Sequence, residues 1–167
     1  MIMHHLPNLL SFLRVPLALC LFISFPLVRF FSILLAMITD IVDGWVARRY
    51  GYTSRIGTII DPLTDKFFVI TAVAIFFYEG ALNWQQLLAF FSRDIALLFF
   101  SSTLWYVDGW KKFTIRAFYC GKIVTTLQFI TLLILSLQLV VPKIFFYSMA
   151  IFGTFSYLEL LCIYKKL

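Results

Sequence analysis

The sequence predicts an all-α integral membrane protein, with six transmembrane helices in a single membrane-embedded domain over residues 1–167. The first reason is composition, because 62% of the residues are hydrophobic and only 13% are charged. The mean hydropathy of +0.96 also lies outside the range of a soluble domain. The second reason is that polar breaks leave apolar segments close to the roughly 20 residues that a helix needs to cross a bilayer. The third is the uneven distribution of Lys and Arg.

Six apolar segments follow one another along the chain: 9–27, 30–47, 58–78, 84–106, 121–140 and 144–163. Arg29 separates the first segment from the second, and the polar loop 48–57 separates the second from the third. The stretch 79–83 precedes the fourth segment, the stretch 108–122 follows it, and Lys143 ends the break before the sixth. The short connections predict helices that cross the membrane in alternating directions.

The basic residues predict the orientation of these helices. Arg29 and Lys143 fall on one side, and Arg14, Lys66 and Arg93 lie within or at the ends of apolar segments. The other nine fall on the opposite side: Arg48, Arg49, Arg55, Lys111, Lys112, Arg116, Lys122, Lys165 and Lys166. This bias predicts that both termini and the loop after the second helix face the cytoplasm. The net charge of +6 fits contact with anionic lipid head groups or phosphates and requires no nucleic acid.

Neither the cysteines nor the N-terminus changes this prediction. Cys20, Cys120 and Cys162 show no C-x-x-C spacing, so the sequence predicts neither a disulfide framework nor a zinc site. Arg14 interrupts the first apolar segment, and further segments follow it. We therefore expect that segment to be a retained helix rather than a cleaved signal peptide.

Four of the six aspartates lie in DIVDGWVARRYGYTSRIGTIIDPLTD, residues 40–65. At about 100° per residue, Asp40 and Asp43 are about 60° apart on a helix, and Asp61 and Asp65 are about 40° apart. Each pair therefore shares one face. Small residues accompany the carboxylates on those faces: Gly44, Ala47 and Gly57.

Four carboxylates near an apolar region need compensation, because each costs about 2.5–3.5 kcal/mol on insertion scales. Mg²⁺ or Mn²⁺ would supply it, since both prefer oxygen ligands. Arg48, Arg49 and Arg55 lie close in sequence, which favours a metal site that receives a phosphate-bearing ligand. Two alternatives stay open from the residues alone. The acids would cap helices and pair with arginines, or they would line the path of a small cation or proton transporter.

The segment fits D-x2-D-G-x2-A-R-x8-G-x3-D-x3-D and resembles the signature of the CDP-alcohol phosphatidyltransferases at eight fixed positions. The opening LPNLLSFLRVPLAL is similar to the P-N-x-L-[ST]-x-x-R start of bacterial members. The resemblance implies the six-helix fold of that family, with cytoplasmic termini, in the bacterial inner membrane. It also implies a homodimer.

The resemblance implies a role for each matched residue. Asp40, Asp43 and Asp61 would hold the divalent metal, and Asp65 would share that site and act as the general base. The metal would bind the pyrophosphate of CDP-diacylglycerol as CMP leaves. Residues around the metal would contact the cytidine and phosphates, namely Asp40, Asp43, Gly44, Ala47, Arg48 and Gly57, with Asn8 from the opening motif. The roles of Asn8 and Arg14 stay open between substrate contact and anchoring of the first helix.

Three basic residues are candidates for binding a phosphate on the acceptor alcohol: Arg93, Arg116 and Lys122. Arg93 has an alternative as half of a buried ion pair with Asp94, and Lys122 has one as a snorkelling side chain.

Two groups within the family share features with this chain. Bacterial phosphatidylglycerophosphate synthases are similar at LPNLLSFLR, at Arg93 and at GKIVTT, but Val124 and Ser101 replace basic residues expected there. The stretch SRDIALL resembles cardiolipin synthases that use CDP-diacylglycerol. We therefore expect sn-glycerol 3-phosphate as the acceptor, with phosphatidylglycerol as the alternative.

Overall fold

The structure, a computed structural model, describes residues 6–50, 57–106 and 119–165, and the side chains of 12–42, 63–103 and 121–162. All regular structure within these ranges is α-helical, which confirms the all-α prediction. Seven helices are present there: α1 Leu6–Cys20, α2 Pro26–Tyr50, α3 Gly57–Tyr78, α4 Trp84–Phe90, α5 Ser92–Tyr106, α6 Tyr119–Ser136 and α7 Lys143–Lys165.

The fourth predicted segment, 84–106, is two helices rather than one. Phe91 has φ −90° and ψ 8°, which departs from α-helical geometry and separates α4 from α5. The carbonyl of Phe90 accepts a 2.7 Å hydrogen bond from Nε2 of Gln128 on α6. A side chain distant in sequence therefore satisfies a backbone acceptor at the break.

One helix in the described part of the chain, Lys143–Cys162 within α7, is long and apolar enough to cross a membrane. The apolar part of α6 that the structure describes, 121–136, is shorter. The 15 residues of α1 extend about 22 Å, less than the roughly 30 Å of a hydrocarbon core. The other predicted spans therefore stay predictions.

Two compact units make up the chain, so the single-domain prediction also stays a prediction. One unit comprises residues 1–81 and 132–140, and the other comprises 82–131 and 141–167. In the first unit α1 packs against α2 and α3. In the second unit α7 packs against α4 and α5, with Phe100 and Leu160 at the centre of a buried apolar cluster.

Arg29 joins the ends of three helices in the first unit. Its Nε donates to the carbonyls of Leu21 and Ile23, at 2.9 and 3.0 Å, beyond the end of α1. Its two terminal nitrogens donate to the carboxylate of Glu79, just after α3, at 2.7 and 2.6 Å. Hydrogen bonding to Arg29 lowers the pKa of Glu79, burial opposes this shift, and the charge of Arg29 adds to it. This cluster fixes α1, α2 and α3 at the ends away from the predicted aspartate site.

Candidate active site

Arg14 on α1 brings together carboxylates from two other helices. One terminal nitrogen of its guanidinium contacts Oδ1 of Asp65 on α3. The other lies 3.4 Å from Oδ1 of Asp40 on α2. The Arg14 side chain is 2% exposed, whereas those of Asp40 and Asp65 are 41% and 37% exposed. A buried cation therefore lies beside two acids that solvent or a ligand can reach.

The local sequence explains this arrangement. Arg14 interrupts an apolar helix, and a buried guanidinium needs anionic or carbonyl partners. Because α1 packs against both α2 and α3, an arginine on α1 can meet acids on both neighbours. Its positive charge offsets the repulsion between Asp40 and Asp65, which allows two carboxylates to stay close.

Most of the other predicted site residues lie outside the part of the structure that describes side chains. Their backbones belong to helices, but nothing follows about their contacts: Asn8, Asp43, Gly44, Ala47, Arg48, Gly57 and Asp61. Arg116 lies outside the described residues altogether. Of the four predicted metal ligands, the structure thus describes the side chains of Asp40 and Asp65 only.

The two described acids fit part of a divalent-metal site. They present hard oxygen donors from separate helices, which suits Mg²⁺ or Mn²⁺, and a carboxylate has several acceptor positions besides those that face an arginine. Among the residues whose side chains are described, no group of three or more metal-ligating side chains occurs. Asp43 and Asp61 fall outside that range, so the four-carboxylate site stays a prediction.

Arg93 follows the break between α4 and α5, in the second unit. The preceding residue, Ser92, donates a 2.8 Å hydrogen bond to the carbonyl of Met149 on α7. A Cβ atom at Gly153, one turn further along α7, would lie 2.7 Å from Cβ of Ser92 and 3.0 Å from the backbone nitrogen of Arg93. Glycine at 153 therefore lets α7 approach the backbone of Arg93, the predicted acceptor-binding residue.

The other acceptor candidate in the described part of the chain is Lys122, which is exposed on α6. Arg93 and Asp94 are both half-buried. Val124, one of the two positions where a basic residue was expected, is fully buried. At the other, the hydroxyl of Ser101 donates to the carbonyl of Leu98 at 2.9 Å. Neither position supplies positive charge to an acceptor.

Two features of the site did not follow from the sequence. The interruption of an apolar run marked Arg14 as unusual, but nothing local identified Asp40 and Asp65 as its partners. The contact between Ser92 and Gly153 joins residues 61 positions apart. A glycine within the apolar α7 was the available signal for it.

Comparison with known proteins identifies the family. The profile of the CDP-alcohol phosphatidyltransferases matches residues 4–158. A CDP-diacylglycerol–glycerol-3-phosphate 3-phosphatidyltransferase of Salmonella choleraesuis (strain SC-B67) is 28% identical over 135 residues, 77% of this chain and 74% of the relative. The protein of that name from Blochmanniella floridana is 33% identical over 107 residues, 63% of this chain and 55% of the relative. The one from Haemophilus influenzae is 26% identical over 109 residues, 65% and 59% of the two chains.

The matched region includes the Asp40–Asp65 segment, Arg14 and Arg93. Members of this family generally use a divalent metal, which agrees with oxygen donors from two helices at one place. The chain belongs to the CDP-alcohol phosphatidyltransferase family and is an enzyme of that class.

Proposed function

We propose that this enzyme transfers the phosphatidyl group of CDP-diacylglycerol to sn-glycerol 3-phosphate, giving phosphatidylglycerophosphate and CMP. The names of the relatives support this acceptor. The observation that carries the proposed site is the convergence of Asp40 and Asp65 on the guanidinium of Arg14. It joins the first and last aspartates of the family signature, 25 residues apart in the sequence.

In the proposed reaction, Asp65 accepts the proton of the acceptor hydroxyl. The hydroxyl oxygen bonds to the β-phosphorus as the bond from that phosphorus to the CMP oxygen breaks. Arg14 holds Asp65 in place, because its guanidinium is itself fixed by burial and by Asp40. Mg²⁺ or Mn²⁺, held by Asp40, Asp43, Asp61 and Asp65, would supply positive charge to the pyrophosphate.

Basic residues would orient the phosphate of the acceptor. Arg93, Arg116 and Lys122 are the proposed contacts, because arginine and lysine bind phosphate oxygens through charge-assisted hydrogen bonds. Asn8, Gly44, Ala47, Arg48 and Gly57 would contact the nucleotide and phosphates of CDP-diacylglycerol.

Phosphatidylglycerol is the second candidate acceptor. It is favoured by the buried Val124 and by the Ser101 hydroxyl, which donates to its own helix. Both positions lack the positive charge that would attract the phosphate of sn-glycerol 3-phosphate. With phosphatidylglycerol as the acceptor, the enzyme would be a cardiolipin synthase.

Acceptor identity is tested by supplying purified enzyme with CDP-diacylglycerol, Mg²⁺ and one alcohol at a time. We expect CMP release with sn-glycerol 3-phosphate. Release with phosphatidylglycerol, and none with sn-glycerol 3-phosphate, would assign the cardiolipin reaction instead.

The Asp65→Asn variant tests the enzyme mechanism against a transporter role. We expect it to lose CMP release while it keeps much of its metal-dependent CDP-diacylglycerol binding, because the other three aspartates remain. Ion flux through liposomes without CMP formation, abolished by the same substitution, would instead identify a transporter.

For the membrane arrangement, we propose six transmembrane helices in the bacterial inner membrane, with both termini and the active site on the cytoplasmic side. The distribution of basic residues supports this orientation. We also propose a homodimer, because members of the family are commonly homodimers. A cross-linking measurement in native membranes would test this.

A further inference from the structure

A groove runs along one face of α7 in the second unit, away from the aspartate signature in sequence. Its wider part, about 610 Å³, lies between α4 and α7 and has Lys143, Tyr147 and Ala150 among its lining residues. A second cavity of about 520 Å³ continues between α5 and α7 as far as Leu158. Ser92 and Thr154 line both cavities, so the two adjoin at the contact between α5 and Gly153.

The two ends of this groove differ in chemistry. Lys143, Asn83, Gln85 and Gln86 line one end. Among the described residues, Lys143 is the only charged side chain of the lining, and it is exposed. Tyr147 lies one turn further along α7 on the same face. This end can therefore offer an ammonium group, amides and a phenol to an anion.

Beyond Tyr147 most of the lining is apolar, and the exceptions are Ser92, Thr154 and Tyr157. The hydroxyls of Ser92 and Thr154 donate to the carbonyls of Met149 and Ile151. Leu88 and Phe146 form the walls of the wider cavity, and Ala89 and Ala150 contribute little bulk. Ile95, Phe99 and Leu158 line its continuation. A hydrocarbon chain matches this part of the groove, because it needs apolar contact and has no hydrogen bonds to satisfy.

The length of the groove also fits a lipid. From Lys143 to Leu158 the helix rises about 22 Å at 1.5 Å per residue, close to half of the roughly 40–45 Å that a bilayer measures with its head groups. We propose that this groove binds one anionic phospholipid, with its phosphate at Lys143 and an acyl chain extending past Ala150 and Thr154 toward Leu158. Charge complementarity at Lys143 selects an anionic head group over a zwitterionic one.

Native mass spectrometry tests the proposal on purified enzyme given equal amounts of phosphatidylserine, which is anionic and is not a proposed substrate, and phosphatidylcholine, without CDP-diacylglycerol. One lysine near a membrane surface corresponds to about a fivefold preference for the anionic lipid. We expect that preference in the wild type and in Lys143→Arg, and its loss in Lys143→Gln with binding of both lipids retained. Equal binding of the two lipids to the wild type would overturn the proposal.

A variant that fills the groove distinguishes a lipid bound there from lipids that associate non-specifically with the rest of the protein surface. Ala150→Phe should reduce retention of both lipids by about tenfold, whereas Ile151→Phe places the same phenyl ring on an exposed neighbour and should have no effect. Equal lipid retention by the two variants would refute the site. Dissociation of a dimer by Ala150→Phe, with lipid retention unchanged, would assign the groove to a second copy of the chain and also refute it.

Photo-cross-linking of the wild type supplies a readout that does not depend on a folded variant. A phospholipid with a photoreactive acyl chain should label Ala150 and Thr154 in preference to Ile151. Uniform labelling around α7 would overturn the proposal. None of these measurements involves turnover, so a different catalytic activity would leave their results interpretable.

Discussion

Replacing Arg14 by glutamine removes the positive charge that contacts Asp40 and Asp65 while keeping a side chain that can form hydrogen bonds. In the structure this guanidinium is 2% exposed and is the shared partner of carboxylates from α2 and α3. Its loss removes the guanidinium charge that offsets the repulsion between these two carboxylates. We expect both the proposed active site and the packing of α1 to suffer.

The magnitude follows from the exposure of the partners. Removing one member of a fully buried ion pair costs about 3–5 kcal/mol, and an exposed pair is worth about 0–1 kcal/mol. Asp40 and Asp65 are 41% and 37% exposed, so water can solvate part of the charge that remains. We expect a loss of about 2–3 kcal/mol, which is about a 30- to 150-fold reduction in kcat if it all falls on the positioning of Asp65.

The assay is CMP release from CDP-diacylglycerol and sn-glycerol 3-phosphate, with the melting temperature of each variant measured in the same detergent. Arg14→Lys is the matched control, because it keeps the charge but has a compact ammonium that cannot bridge two carboxylates as a guanidinium does. Its activity should fall between those of the wild type and Arg14→Gln. Near wild-type turnover of a folded Arg14→Gln variant would refute the role given to this cluster.

Three further changes test other contacts. The pKa of Glu79 is lowered, mainly by its hydrogen bonds to Arg29. The stabilisation from this carboxylate is therefore present at neutral pH and is lost as pH falls through the lowered pKa. Glu79→Gln should make the melting temperature less dependent on pH in that acidic range. Gly153→Ala should destabilise by about 1–3 kcal/mol through overpacking against Ser92, a loss seen in the melting temperature and partly reversed by Ser92→Gly. Gln138 has φ 58°, so Gln138→Gly should raise the melting temperature, with a net gain of about 0.5–1 kcal/mol. An unchanged pH dependence in Glu79→Gln, or an unchanged melting temperature in either of the other two variants, would contradict the corresponding prediction.

The helical class and the aspartate segment were readable from the sequence because both depend on local patterns. Composition and run length predict helices in a membrane, and the three- and four-residue spacings place each aspartate pair on one helix face. The sequence predicts that Asp40 and Asp65 share a divalent cation, and this part stays a prediction. The structure adds that a buried arginine contacts both.

The local sequence does not predict the helix break at Phe91. The sequence AFFSRDIALLFF is apolar on both sides of the break and contains neither glycine nor proline. The hydrogen bond that supports the break comes from Gln128, 38 positions away. Similarly, α7 packs closely against α5 because Gly153 has no side chain at the point where it meets Ser92. Such pairings arise from tertiary packing, so a single segment does not reveal them.

Manganese-dependent binding of CDP-diacylglycerol shows whether Asp40 contributes to a divalent-metal site on which this lipid binds. The measurement is a Mn²⁺ titration followed by electron paramagnetic resonance, with and without CDP-diacylglycerol. We expect Asp40→Asn to weaken Mn²⁺ binding by at least about tenfold, a loss typical even of residues that only support a metal ligand. The control Glu159→Gln, on α7, should bind like the wild type. Unchanged Mn²⁺ affinity and unchanged lipid binding in a folded Asp40→Asn variant would show that Asp40 is not part of such a site.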